Sequence, residues 1–159
     1  MNIFVLDRDP ELAAAYLCDK HCVKMPLESA QMLSTVVNSF GIETEYKPTH
    51  AKHPCTIWTA ESLENFLWHS LLAISLCREY TFRYGKKHKS QSVIEKCTDI
   101  CLDGNIKFER KEMTDFAQAM PEECKDKDAV VAYRKYYMMK KNDIAKWNKC
   151  RSAPEWWVI

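Results

Sequence analysis

Residues 9–29 read Asp9-Pro10-Glu11-Leu12-Ala13-Ala14-Ala15-Tyr16-Leu17-Cys18-Asp19-Lys20-His21-Cys22-Val23-Lys24-Met25-Pro26-Leu27-Glu28-Ser29, and this stretch sets the fold class. Asp9 suits an N-cap, because its carboxylate can accept from the first unpaired N–H groups of a helix. Pro10 suits the first helical position, where its missing N–H costs nothing. The spacing predicts a helix through Ala13, Ala14, Tyr16 and Leu17 to about Met25. Pro26 cannot donate to the Cys22 carbonyl and clashes with it. The chain is therefore expected to kink there, or to start a second helix that runs to about Asn38 and stops at Gly41.

Working outward, residues 1–7 are apolar and extended, a short strand or a segment laid across the core. Residues 43–58 read as a loop with Pro48 and Pro54 and a polar-aromatic set of Tyr46, Lys47, His50, His53 and Trp58. Thr59 is the expected cap of a long helix, in which Leu63, Phe66, Leu67, Ile74 and Cys77 recur at helical spacing and which Gly85 ends. A shorter helix is expected over residues 92–102 and a last one over 128–149, with 105–125 mostly irregular between them. The expectation is an all-α single domain spanning residues 1–159, with four to five helices and a short extended N-terminal segment.

Composition narrows the class. Hydrophobic residues make up 47% and charged residues 28% of the chain, ordinary for a globular protein and wrong for a disordered one. Only 3 of 159 residues are Gly, too few for an all-β chain rich in tight turns. No apolar run reaches the ~18 residues a membrane span needs. The apolar patch Ile3 to Leu6 is too short for a signal peptide. The expected setting is the cytoplasm, with no membrane partner. The 8 cysteines form no CxxC pair, and in a reducing compartment they read as small buried hydrophobes. His50, His53 and Cys55 match no standard zinc spacing, so neither metal nor cofactor is expected. Net charge is +1, so affinity for nucleic acid would have to come from a local patch.

Candidate chemistry starts with His21 and Glu28. Seven residues is close to two helical turns, so the pair is expected on one helical face about 20° apart. An aligned imidazole and carboxylate suit acid–base work, and equally a structural hydrogen bond. Lys24 is expected on the same face. A second set, Arg83, Tyr84, Lys86 and Lys87, lies near the end of the long helix. It would complement the helix dipole or bind phosphates, with Tyr84 available to stack on a base. Trp156 and Trp157 read as packing that ties down the C-terminal end.

The run Leu17-Cys18-Asp19-Lys20-His21-Cys22-Val23-Lys24-Met25-Pro26-Leu27-Glu28-Ser29 resembles the first-helix motif of the pyrimidine-dimer DNA glycosylases of the bacteriophage endonuclease V type. In that family a helix near the N-terminus carries His and then Glu seven residues later. His53-Pro54 before Trp58, the basic end of the central helix, Met120-Pro121-Glu122 and the aromatic C-terminal end follow in the same order. The resemblance implies an all-α fold, DNA as partner and a base-excision mechanism in which the N-terminal amine attacks C1′. A Schiff base forms, the base leaves, and β-elimination nicks the strand. It makes Met1, His21 and Glu28 the catalytic candidates. Lys24, Tyr46, Lys47, His50, His53, Trp58, Arg83, Tyr84, Lys86 and Lys87 become the substrate-binding ones. The second residue is Asn2, too large for efficient removal of the initiator Met, so Met1 keeps the amine. The Arg that precedes Glu in the phage motif is Leu27 here. The alternative expectation is a catalytically inactive relative that binds a nucleotide or nucleotide-derived signal, such as a phage counter-defence protein.

Overall fold

The computed structural model describes residues 1–158. Its elements are α1 (Pro10–Tyr16), α2 (Asp19–Ser39), α3 (Pro54–Glu61), α4 (Leu63–Tyr84), α5 (Gln91–Leu102), a 3-10 turn (Glu122–Cys124) and α6 (Ala129–Lys140). The described residues are all-helical, without strands, and pack as one unit. They form six α-helices rather than the expected four to five.

Each difference has a local cause. The first helix breaks at Leu17 and Cys18, both extended, and not at Pro26. Long-range partners take over the N–H groups at the break: Cys18 donates to the Tyr137 hydroxyl at 3.1 Å and Asp19 to the Lys146 carbonyl at 2.9 Å. Pro26 then sits buried inside α2. An interior proline costs about 3 kcal/mol. Burying Met25, Met32, Leu33, Val36 and Val37 contributes about 1.5–3 kcal/mol per side chain, so the helix continues through it. The predicted loop over residues 43–58 contains the start of α3, with Pro54 at the first turn and His53 as N-cap. The long helix is capped by Ser62, whose hydroxyl accepts from Asn65 N–H at 3.0 Å, and not by Thr59. Its end at Gly85, left-handed at φ 69°, is as expected. The last helix ends at Lys140 instead of continuing to 149. The chain turns there and carries the Lys146 carbonyl to the start of α2.

Helix α2 is central and packs on α3, α4 and α5. On one side, residues 3–6, Met25, Met32, Trp58, Trp68, Leu72, Tyr133 and Tyr137 form one apolar cluster. On the other, Leu33, Val36, Val37, Phe66, Val93, Ile94 and Cys97 form a second. A buried charge cluster joins the C-terminal segment to this frame. Arg83, whose side chain is 0% exposed, bonds Glu79 at 2.8 Å and Asp19 at 3.1 Å. Arg151 grips the same Glu79 through both carboxylate oxygens, at 2.7 and 3.0 Å. Burial alone would push the Glu79 carboxyl up, but hydrogen bonds from Arg151 and Arg83 outweigh it and hold it below its ordinary value.

Removing a partner from a buried ion cluster strands the remaining charge. Glu79→Ala should therefore destabilise the protein by about 3–5 kcal/mol, and Arg151→Ala, whose side chain is 40% exposed, by about 1 kcal/mol. Because Glu79 is held low, its contribution is present above the ordinary carboxylate range and fades as pH falls through its folded value. Urea unfolding of the three proteins would expose an error as equal losses.

Candidate active site

The site is assembled around the first residue. Residues 2–6 are buried to between 0 and 5% exposure, so the chain enters through the core and not along the surface. Backbone N–H groups buried this way need partners. The Asn2 carboxamide oxygen accepts from Ile3 N–H at 2.8 Å and Phe4 N–H at 3.1 Å, and its amide nitrogen donates to the Ala119 carbonyl at 2.9 Å. Phe4 adopts φ 37°, the left-handed region that costs a non-glycine residue energy. The result brings the Met1 amine to 3.6 Å from Glu28 Oε2. Lys24 Nζ reaches the other oxygen, Oε1, at 3.4 Å.

His21 and Glu28 both lie on α2, but they take different partners. His21 is 6% exposed and stacks on Phe4 with ring centroids 4.5 Å apart. Its Nδ1 lies 2.6 Å from the Tyr137 hydroxyl. Burial first, and then the charges of Lys141, Lys24 and Lys20, lower its pKa from 6.5 to about 4. Tyr137 is held protonated by burial, and its hydroxyl also accepts from Cys18 N–H at 3.1 Å and lies 3.4 Å from Cys18 Sγ. Glu28 instead faces the amine. His53, as N-cap of α3, accepts from Cys55 N–H through Nδ1 at 3.1 Å. Burial first, and then the charge of the Met1 amine, lower its pKa.

Helices α2 and α3 are held in register by a buried polar chain that the sequence did not reveal. His69, fully buried with a pKa lowered to about 3 by burial, lies 2.8 Å from Thr59 Oγ1 and 3.1 Å from Ser29 Oγ. Thr59 donates to the Cys55 carbonyl at 2.7 Å. That leaves His69 Nδ1–H as donor to Thr59 and Nε2 as acceptor from Ser29. Ser29 follows Glu28 and Cys55 lies two residues after His53, so this chain sets the spacing of the groups flanking Met1. Thr35 fixes the preceding loop by accepting from Thr49 N–H and donating to its carbonyl, both at 3.0 Å.

The other candidates are dispersed. His50, at φ 50°, Lys47 and Lys24 are exposed. Tyr46 turns away and reaches Ser90 Oγ at 3.1 Å. Trp58 is 2% exposed and packs against Trp68 and Phe116. Arg83 belongs to the charge cluster, and Tyr84 donates to the Asp19 carbonyl at 3.4 Å. Lys86 and Lys87 are exposed. His88 Nε2–H donates to the Val23 carbonyl at 2.9 Å, which brings this basic segment alongside the first turns of α2, where Lys20 and Lys24 lie. Among the described residues no group of three or more His, Cys, Asp or Glu side chains is arranged to hold a metal, and no helix is long and apolar enough to cross a membrane. Tyr136, Tyr137 and Lys141 were not among the site candidates read from sequence, and Asn2 entered only through its size. Only Asn2 left a signal, as the one polar residue in the run Met1 to Leu6.

Fold and site together define a class: an all-helical protein whose N-terminal amine faces a carboxylate carried on its central helix. The family model described as pyrimidine dimer DNA glycosylase matches residues 1–92, a stretch that holds Met1, His21, Glu28 and His53. The chain belongs to that family. Searches of curated proteins and of solved structures gave no match.

Neutral His21 and His69 link folding to pH. The unfolded chain takes up protons on these rings near pH 6.5 while the folded one does not until about pH 4 or 3. Stability is therefore complete above about 6.5 and falls as pH drops toward 4. Imidazole NMR should show His21 titrating near 4. A midpoint above 6 would contradict the buried, neutral assignment.

Proposed function

We propose that the protein is a DNA glycosylase with abasic-site lyase activity on damaged or modified pyrimidines, working through a Schiff base at the Met1 amine. The observation that carries the reading is the 3.6 Å approach of that amine to Glu28. Family membership supports the glycosylase class.

The unprotonated amine attacks C1′ of the damaged nucleotide, the C1′–N bond to the base breaks, and the base leaves and takes a proton from water. Glu28 takes up the proton released by the amine and stabilises the cationic sugar. Glu28 returns that proton to O4′ as the nitrogen lone pair breaks the C1′–O4′ bond, which opens the sugar ring to the protonated Schiff base. Removal of a C2′ proton then breaks the C3′–O bond and nicks the strand, and water releases the sugar remnant from the amine. An α-amine ionises near pH 8 in peptides, against about 10.4 for lysine, so it offers more of the neutral nucleophile at pH 7.5. His21, neutral near pH 7, positions the sugar or phosphate by hydrogen bonding. Lys24, Lys47, His50, His53, Lys86 and Lys87 supply contacts to the strand, while Trp58 and Arg83 support from within the fold. Access to C1′ requires the nucleotide to leave the stack.

A second reading, a relative that binds a nucleotide or nucleotide-derived signal without chemistry, is favoured by the net charge of +1, since duplex binders usually carry a strong basic face. One experiment separates the two. Borohydride trapping on duplexes carrying an abasic site or a pyrimidine dimer should give a covalent adduct with the wild type. Glu28→Gln should lower the trapping rate by about 100-fold or more with DNA affinity kept within a few fold. One residue added before Met1 should abolish the adduct without unfolding the protein, and intact mass establishes which residue carries the amine. No adduct on any duplex, with tight binding of a mononucleotide, would replace the enzyme by the binding protein.

A further inference from the structure

We infer that Asn2 is a positioning residue for the reaction, the group that aims the Met1 amine at Glu28. This rests on the reading of Met1 as nucleophile. Three observations carry it. Asn2 is 5% exposed, and all of its side-chain hydrogen-bonding runs to backbone: Ile3 N–H, Phe4 N–H and the Ala119 carbonyl. Those bonds close a turn at the third and fourth residues that places Phe4 at φ 37°, a conformation the chain does not hold without compensation. The turn is tightened by Leu6 N–H donating to the Phe4 carbonyl at 2.7 Å. Met1 is joined directly to this fixed unit, so the carboxamide sets both the direction in which the amine leaves the core and its distance from Glu28.

The bond to Ala119 gives Asn2 a further role. Ala119 belongs to the segment leading to the 3-10 turn, and its own N–H donates to the Tyr133 hydroxyl oxygen at 3.4 Å. Tyr133 also donates to the Ala117 carbonyl at 2.6 Å. Asn2 thus ties the nucleophile-bearing residue to α6 through residues 117–119, with Ala119 lying 117 positions from Asn2 in sequence. A side chain of the same size with only acceptors would keep the turn and lose that tie. An apolar one would lose both.

This ordering makes the test. Asn2→Asp preserves shape and the acceptor for Ile3 and Phe4. Asn2→Leu removes every bond, and both side chains are large enough that the initiator Met is not cleaved off. Misplacing a reacting group by about 1 Å costs on the order of 100-fold. The expected result is a fall in single-turnover kcat of about 100-fold for Asn2→Leu and a smaller one, about 10-fold, for Asn2→Asp, with KM for the duplex little changed and the helical spectrum retained. A partial rescue by Asp over Leu is a graded response that general loosening of the fold would not produce. A second readout does not depend on turnover. Reductive methylation of the α-amine, followed by mass spectrometry of the N-terminal peptide, should quicken in Asn2→Leu relative to wild type, and amide exchange should lose protection at Ile3 and Phe4. Unchanged methylation and unchanged kcat in Asn2→Leu would overturn the inference. If the wild type gives no covalent adduct but methylation still quickens in Asn2→Leu, Asn2 places the amine as inferred and the proposed reaction is what fails. If the wild type reacts and both variants react as fast, the reaction stands and the positioning role falls.

Discussion

The structure depends on the burial of its own N-terminal segment. A chain end usually frays, because nothing covers its backbone groups and ordering it costs about 1–2 kcal/mol per residue. Here Ile3, Val5 and Leu6 are almost wholly removed from water, and full burial of such side chains contributes about 1.5–3 kcal/mol each. That gain requires the polar groups that go in with them to be paired. Asn2 pairs the Ile3 and Phe4 N–H groups, Arg134 donates to the Leu6 carbonyl at 2.9 Å, and Glu28 faces the amine. Tyr133 and Tyr137 of α6, and Trp58 and Trp68 of α3 and α4, belong to the apolar cluster formed around the segment.

The same burial decides how the site can use its ionisable groups. His21 and His69 are neutral because desolvation disfavours their cations, so neither supplies a fixed positive charge near neutral pH. Positive charge in this region comes instead from Lys20, Lys24 and Lys141, whose fields His21 feels. Glu28 faces the amine with one oxygen and Lys24 with the other, while the buried histidines stay neutral. Arg83, which on sequence grounds belonged with the basic end of α4, is drawn inward by Asp19 and Glu79. There it holds the start of α2 to α4, and Glu79 extends the hold to Arg151 in the C-terminal segment. Without that cluster the break at Leu17 and Cys18 would lose one of its anchors.

Much of the helical content was legible because it rests on local rules. Asp9 caps α1 and accepts from Glu11 N–H at 2.8 Å, Pro10 begins it, and Gly85 ends α4 in the left-handed conformation that glycine adopts without a Cβ clash. The seven-residue interval between His21 and Glu28 was also readable, since both are on one helix. Where reading fell short, the deciding partner was far away in the chain. Helix α1 ends at Tyr16 because Tyr137 and Lys146 take the next N–H groups, and α6 ends at Lys140 so that the chain can reach back to Asp19.

Sequence by itself therefore determined the helical class, the helix starts at Pro10 and just after Asp128, the stops before Gly41 and Gly85, and the His–Glu interval, because capping, glycine and proline geometry and helical periodicity act over a few residues. Tertiary structure alone decided that Glu28 meets the Met1 amine while His21 meets Phe4 and Tyr137. It also decided that Trp58 and Arg83 are internal, and that Asn2 bonds Ala119. These outcomes depend on which groups must be paired once water is excluded. That requirement is satisfied by partners more than 100 residues away, 117 for Asn2 with Ala119 and 128 for Arg134 with Leu6, distances over which no local pattern carries information.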